Sequence, residues 1–153
     1  IRQSLVGSEM CIRDSLDTAP LVGHLNCWAY LKNASGSKNK EFLSNWASYV
    51  TTKSVPFSAT TVIDPMVSTY DGIHLWAMAS EKAGSFDVPA VRDAFPGLSF
   101  ACPSGYDITM TSEDNYVKRG VFIGSLNETQ GFDILWQSPD TPVPVPYSPY
   151  MNS

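Results

Sequence analysis

The twenty-one residues from Asp64 to Gly84 constrain the fold of this chain more than any other stretch. Asp64 can accept hydrogen bonds from the first free amides of a helix, and Pro65 supplies a pre-set φ at the first helical position. Gly84 can take the left-handed conformation on which many helices end. Between them Met66, Tyr70, Ile73, Ala77 and Ser80 recur at helical spacing, and Val67, His74, Trp76 and Met78 widen the apolar stripe. The pattern predicts a long helix, mostly covered by other structure.

The flanking segments set the class. Leu21–Tyr30 is short, apolar and preceded by Pro20, which reads as a largely buried strand running into a loop. Its continuous apolarity predicts a parallel sheet covered on both faces. Ser37 starts a second helix, with Phe42, Leu43, Trp46 and Tyr49 on one side. Residues 51–63 are rich in β-branched residues and broken by Pro56, so they read as an extended connection and a candidate domain boundary.

Asp87–Phe95 is a short capped helix closed by Pro96-Gly97. Strand-like runs follow at Leu98–Cys102, Tyr106–Met110, Lys118–Leu126 and Gly131–Gln137, divided by turn-forming residues that include Ser112-Glu-Asp-Asn115. The last pair reads as an antiparallel hairpin, Val121, Ile123 and Ser125 alternating against Phe132, Ile134 and Trp136. From Pro139 the chain carries five prolines in eleven residues, an extended strap that cannot join a sheet interior. The expectation is an α/β body with a small antiparallel appendage and a Pro-rich tail.

Composition excludes some functions. With a net charge of −5 and scattered lysines and arginines, Lys118-Arg119 being the adjacent pair, the chain has no nucleic-acid face. No apolar run approaches the roughly 20 residues that span a bilayer. Ile1–Ser15 resembles a translated sequencing-adapter read-through, lacks the pattern of a signal peptide, and is set aside from the fold reasoning. Of the other two cysteines, Cys27 and Cys102, neither sits in a Cys-x-x-Cys pair, and both read as small hydrophobes.

Catalytic constellations are thin. His24 and Cys27 fall on opposite faces of a strand, which argues against a nucleophile pair. His74 has no second ligand at metal spacing, and Glu113, Asp114 and Asp140 read as solvated turn residues. There is no nucleophile elbow, phosphate loop or dinucleotide fingerprint, and no cofactor is expected. Asn33-Ala-Ser35 and Asn127-Glu-Thr129 match the glycosylation pattern, to which no function is attached. Trp28 and Tyr30 at a strand end and Tyr70 near a helix start are where open α/β sheets hold small molecules, and aromatic walls with a few amides suit a small neutral polar solute.

At this point the order of segments resembles a known family. Leu21–Tyr30, the Lys38-Asn-Lys-Glu-Phe42 helix start, Asp64-Pro-Met66, Tyr70, Gly72, Leu75-Trp76 and Glu81-Lys-Ala-Gly84 are similar to the urea and short-chain-amide substrate-binding proteins of ABC transporters. Val91-Arg-Asp-Ala94, Pro103-Ser-Gly105, Ile123-Gly124 and Pro146-Tyr-Ser-Pro149 continue the similarity.

The resemblance implies the C-terminal part of a type I periplasmic-binding fold, in which two α/β lobes close on a ligand. Residues 16–63 then belong to the second lobe, and residues 64–153 return to the first lobe and add crossover strands, hairpin and tail. It implies a non-enzymatic, periplasmic protein that captures urea or a small amide, delivers it to ABC permease subunits, and meets the membrane only through them. Trp28, Tyr30, Asp64, Pro65, Met66 and Tyr70 are the expected cleft or hinge residues. A sensing regulator on the same fold and a small His24/Cys27 hydrolase are the alternatives. Two departures stand out: Val67 replaces an expected acidic residue, and Ala29 an expected Asn.

Overall fold

The computed structural model describes residues 19–53, 62–112, 116–129 and 131–145. The expectations for Ile1–Ser15, for most of the 51–63 connection, for Glu113 and Asp114, and for the tail from Pro146 onward lie outside them.

Three helices and six strands follow in order: β1 (Leu25–Trp28), α1 (Ser37–Lys53), α2 (Asp64–Ala83), α3 (Val88–Ala94), β2 (Ser99–Ala101), β3 (Asp107–Met110), β4 (Val117–Lys118), β5 (Phe122–Leu126) and β6 (Phe132–Gln137). They form two three-stranded sheets, β1-β5-β6 and β2-β3-β4. The α/β class holds. Every described strand pairing, however, is antiparallel.

The parallel-sheet expectation misread one apolar run. Only Leu25–Trp28 is strand, and Leu25 faces solvent. The buried residues of the run, Tyr30 and its neighbour Leu31, lie beyond the strand in a loop that enters the core. A loop can do this only if its polar groups are met. Tyr30 donates its hydroxyl to Asn39 Oδ1 at 2.8 Å, and Asn39 Nδ2 donates to the carbonyls of Lys32 (2.9 Å) and Ala34 (2.7 Å). Asn39 on α1 therefore binds the loop as a missing strand would.

The long helix forms where its signals place it. Gly84 ends it at φ 61°, with its N–H on the Glu81 carbonyl. The cap differs: Ile63 is the N-cap, and Asp64 stands inside the first turn. The covered face also differs. Val67, Asp71, Leu75 and Ala79 are buried at four-residue spacing, whereas Ile73 is 61% and Trp76 47% exposed. Val67 packs with Tyr30, Phe42 and Val62, while Leu75 packs with Cys102, Ile108 and Met110 of the second sheet. Each such fully buried side chain contributes about 1.5–3 kcal/mol. The covered stripe starts with Val67, so α2 leaves its other side open.

The run Lys118–Leu126 is two strands in two sheets. β4 ends at Lys118 and β5 begins at Phe122, so Arg119–Val121 link one sheet to the other. Gly120 is required there because a Cβ would lie 2.1 Å from the Tyr106 ring. Tyr106 meets Phe122 edge-on and donates its hydroxyl to the Ser138 carbonyl beyond β6. Ser138 Oγ in turn accepts the Val121 N–H at 2.9 Å.

The β5–β6 hairpin forms as expected, but its inner face is Phe122, Gly124 and Leu126. Leu31 and Asn26 fill the space over Gly124, and a register shift at Ile123/Gly124 leaves both Leu135 and Trp136 exposed. In the described part of the tail, Val143 and Pro144 line an open recess together with Thr109 and Lys118 of the second sheet, and Val143 is exposed.

Candidate functional site

A recess opens where β1 ends, α2 begins and the β5–β6 turn approaches. It is a groove of about 520 Å³, within the roughly 300–1,000 Å³ range of small-molecule sites. Trp28, Tyr30, Ile63, Asn127, Phe132 and Asp133 line it. The Trp28 ring is half-buried and packs at 5.7 Å on Phe132. Tyr30 is fully buried with its hydroxyl committed to Asn39, so it supports the wall and does not offer its phenol to a solute. Burial raises its pKa well above the ordinary phenol value.

Asp64 follows the groove-lining Ile63 at the helix start. Its Oδ1 is buried without a hydrogen-bond partner, and the nearby backbone of Ala29 and Tyr30 and the Ser68 hydroxyl favour the ionised form. Burial raises its pKa, and the positive charge of Arg119 opposes that rise. The turn opposite is organised by Asn127. Its Oδ1 accepts the Thr129 and Gly131 amides (3.1 and 3.0 Å), and its Nδ2 donates to Asp133 Oδ1 at 2.8 Å. That side-chain amide is thus occupied in forming the turn.

Trp28 and Tyr30 therefore line one groove, and Asp64 lies near the backbone of Tyr30 without lining it. Pro65 is exposed and Met66 half-buried on the first turn of α2. Tyr70 lies elsewhere, in an aromatic recess of about 300 Å³ with Phe42, His74 and Phe100. Its ring centroid is 4.9 Å from Phe42 and 4.4 Å from His74, which stacks on Phe100.

A buried charge cluster joins α2 to the link between the two sheets. Asp71, 2% exposed, receives Arg119 Nη2 on Oδ2 at 2.8 Å. Arg119 Nη1 donates to Ser68 Oγ, also at 2.8 Å. Asp71 Oδ1 and Arg119 Nε have no partner among the described residues. Burial pushes the Asp71 carboxyl up to about 6 even with Arg119 beside it. The remaining side chain at this carboxylate is Cys102, itself within 2.6 Å of Ser104 Oγ, and its thiol is raised mainly by burial. Neither Asp71 nor Arg119 was singled out as a site residue from sequence. The available signal was Asp71 itself, an acidic residue four positions from both Val67 and Leu75 in an apolar stripe.

His24 and Cys27 are both exposed and share no hydrogen bond among the described interactions, and Cys27 and Cys102 are free thiols. Among the described residues no cluster of three His, Cys, Asp or Glu could hold a metal, and no helix is long and apolar enough to cross a membrane.

A family model described as "Periplasmic binding protein domain" matches residues 4–153. The chain belongs to this family. A search of curated proteins gives no match. Solved periplasmic-binding structures share the fold. One is the solute binding protein of an ABC transporter from Rhodopseudomonas palustris HaA2 in complex with p-hydroxybenzoic acid. It is 19% identical with a TM-score of 0.66, over 81% of this chain and 33% of that one. The BisB5 counterpart, in complex with 3,4-dihydroxybenzoic acid, is 21% identical with a TM-score of 0.67, over 83% of this chain and 33% of that one. A leucine-, isoleucine-, valine-, threonine- and alanine-binding protein from Brucella ovis is 18% identical with a TM-score of 0.63, over 83% of this chain and 34% of that one. This periplasmic binding protein chain thus matches a fragment of the type I fold and spans about a third of the length of these solved chains.

Proposed function

We propose that the chain is the C-terminal part of an extracytoplasmic solute-binding component of an ABC transporter. It closes on a small neutral polar solute, urea or a short-chain amide, and delivers it to permease subunits. Residues 16–63 contribute to one lobe and residues 64–153 to the other. Ligand contacts in both lobes stabilise the closed state.

The observation that carries the solute class is Asp64 in the first turn of α2, next in the chain to the groove-lining Ile63. A helix start normally attracts anions. Here a carboxylate already occupies the first turn of α2, beside the backbone of Ala29 and Tyr30. Along the groove Lys32 and Asp133 balance in formal charge, so no surplus cation awaits a solute carboxylate. The solved relatives in complex with hydroxybenzoic acids hold solutes that carry one. A neutral solute with N–H donors suits acceptor oxygens and the Trp28 face.

The test is calorimetric titration of the full-length product of the reading frame with urea, acetamide, 4-hydroxybenzoate and leucine. Heat of binding with urea or acetamide, weakened by Trp28→Ala, is the expected result. Preference for either carboxylate solute overturns the neutral-solute reading.

A further inference from the structure

Helix α2 carries two apolar stripes, and the described structure covers one. Val67, Asp71, Leu75 and Ala79 face the rest of the molecule. On the other side Ile73 is 61% exposed, and Trp76 stacks at 5.9 Å on a Phe86 that is itself 80% exposed. Val88, at the start of α3, is 77% exposed. Trp76, Ala77, Gly84 and Phe86 enclose an open recess of about 410 Å³. Ser80 also lines it, and the buried Ser80 Oγ has no hydrogen-bond partner.

We infer that this face seats the portion of the periplasmic-binding fold that these 153 residues do not contain. The inference rests on the reading of the chain as part of a larger binding protein, and it assigns the surface through which the parts meet. A helix that is apolar on both sides belongs between two layers, and one layer is present. Contiguous exposed apolar surface of this kind marks an interface in a monomeric protein. The occupant follows from length, since the solved chains of this fold are about three times as long over the match, with 33% coverage. The covering element is apolar opposite Ile73, Trp76 and Phe86, and it brings one polar group to Ser80 Oγ, because a buried hydroxyl is normally hydrogen-bonded.

Hydroxyl-radical footprinting with mass spectrometry compares the 153-residue chain with the full-length product of its reading frame. Several-fold protection of Trp76 and Phe86 in the longer protein is expected. Trp76→Glu should lower the melting temperature of the longer protein and leave that of the short chain unchanged. Equal reactivity in both forms overturns the inference, as does a reading frame that encodes no further part of the fold. A short chain that sediments as a dimer with Trp76 already protected assigns the face to a second copy and overturns it too. The two readings separate cleanly: solute binding with Trp76 still reactive sinks only the docking face. Protection of Trp76 without any solute heat sinks only the proposed function.

Discussion

Arg119 reaches Asp71 at 2.8 Å and thereby fastens the link between the two sheets to the covered stripe of α2. Lys38–Glu41 and Arg92–Asp93, the other described ion pairs, are solvent-exposed on single helices. Exposed pairs contribute little, about 0–1 kcal/mol. A buried pair is different in kind, because losing one partner leaves a charge without water. Arg119 also reaches Ser68, so three residues of α2, counting Asp64 through its charge, organise around one guanidinium.

Arg119→Met should destabilise the chain by about 3–5 kcal/mol near neutral pH, the usual cost of breaking a buried pair. The loss should shrink at about pH 5, because an unpaired buried carboxylate takes up a proton instead. Urea unfolding at both pH values measures this. An equal loss at the two would show that Asp71 stays ionised without Arg119.

The pH dependence of the unaltered chain has a definite sign. Asp71 titrates at 3.8 when unfolded and at about 6 when folded, so the folded state holds the extra proton between those values. Stability from this group therefore falls as pH rises through that window and is level above it. Asp64, also raised, adds in the same direction. Asp71→Asn should flatten the fall in melting temperature between about pH 4 and about pH 6. An unchanged slope would assign the dependence to other groups.

Gly120→Ala places a methyl group inside the Tyr106 ring position. Overpacking of this kind costs about 1–3 kcal/mol. The ring must move, and its hydroxyl loses the Ser138 carbonyl. The urea midpoint should drop with little change in slope, and the double variant with Tyr106→Ala should lose less than the two single losses combined.

Tyr30→Phe removes the donor that meets Asn39 Oδ1 and leaves a buried acceptor unsatisfied. The expected loss is about 1–3 kcal/mol by chemical denaturation. Asn39→Leu should cost more, because the carbonyls of Lys32 and Ala34 lose their donor as well.

Much of the architecture was legible along the chain. The α2 boundaries, the Gly84 stop, the Ser37 start of α1 and the β5–β6 hairpin follow from local signals that act within a few residues. Strand direction was not legible, because an apolar run such as Leu21–Tyr30 looks the same whether its burial comes from a parallel sheet or from a loop dipping into the core. Which side of α2 is covered was equally hidden, since both sides carry apolar residues. At the candidate site, Trp28 and Tyr30 stood out by type and position, and both line one groove, whereas Asp64 sits on the first turn of α2 outside its lining. Tyr70, chosen by the same logic, lies in a separate aromatic recess, because its position on α2 turns it toward Phe42 and His74.

What the sequence by itself determined is therefore local: where helices start and stop, which turns carry glycine, and which segments are apolar. Capping and turn chemistry involve neighbours a few residues apart, so these signals survive in one dimension. The tertiary structure alone decided the rest. It set Arg119 against Asp71 across 48 residues, and Tyr106 against Ser138 across 32. It also divided Lys118–Leu126 between two sheets at Gly120. Those outcomes depend on which groups lose water together, and that is settled only when distant segments pack.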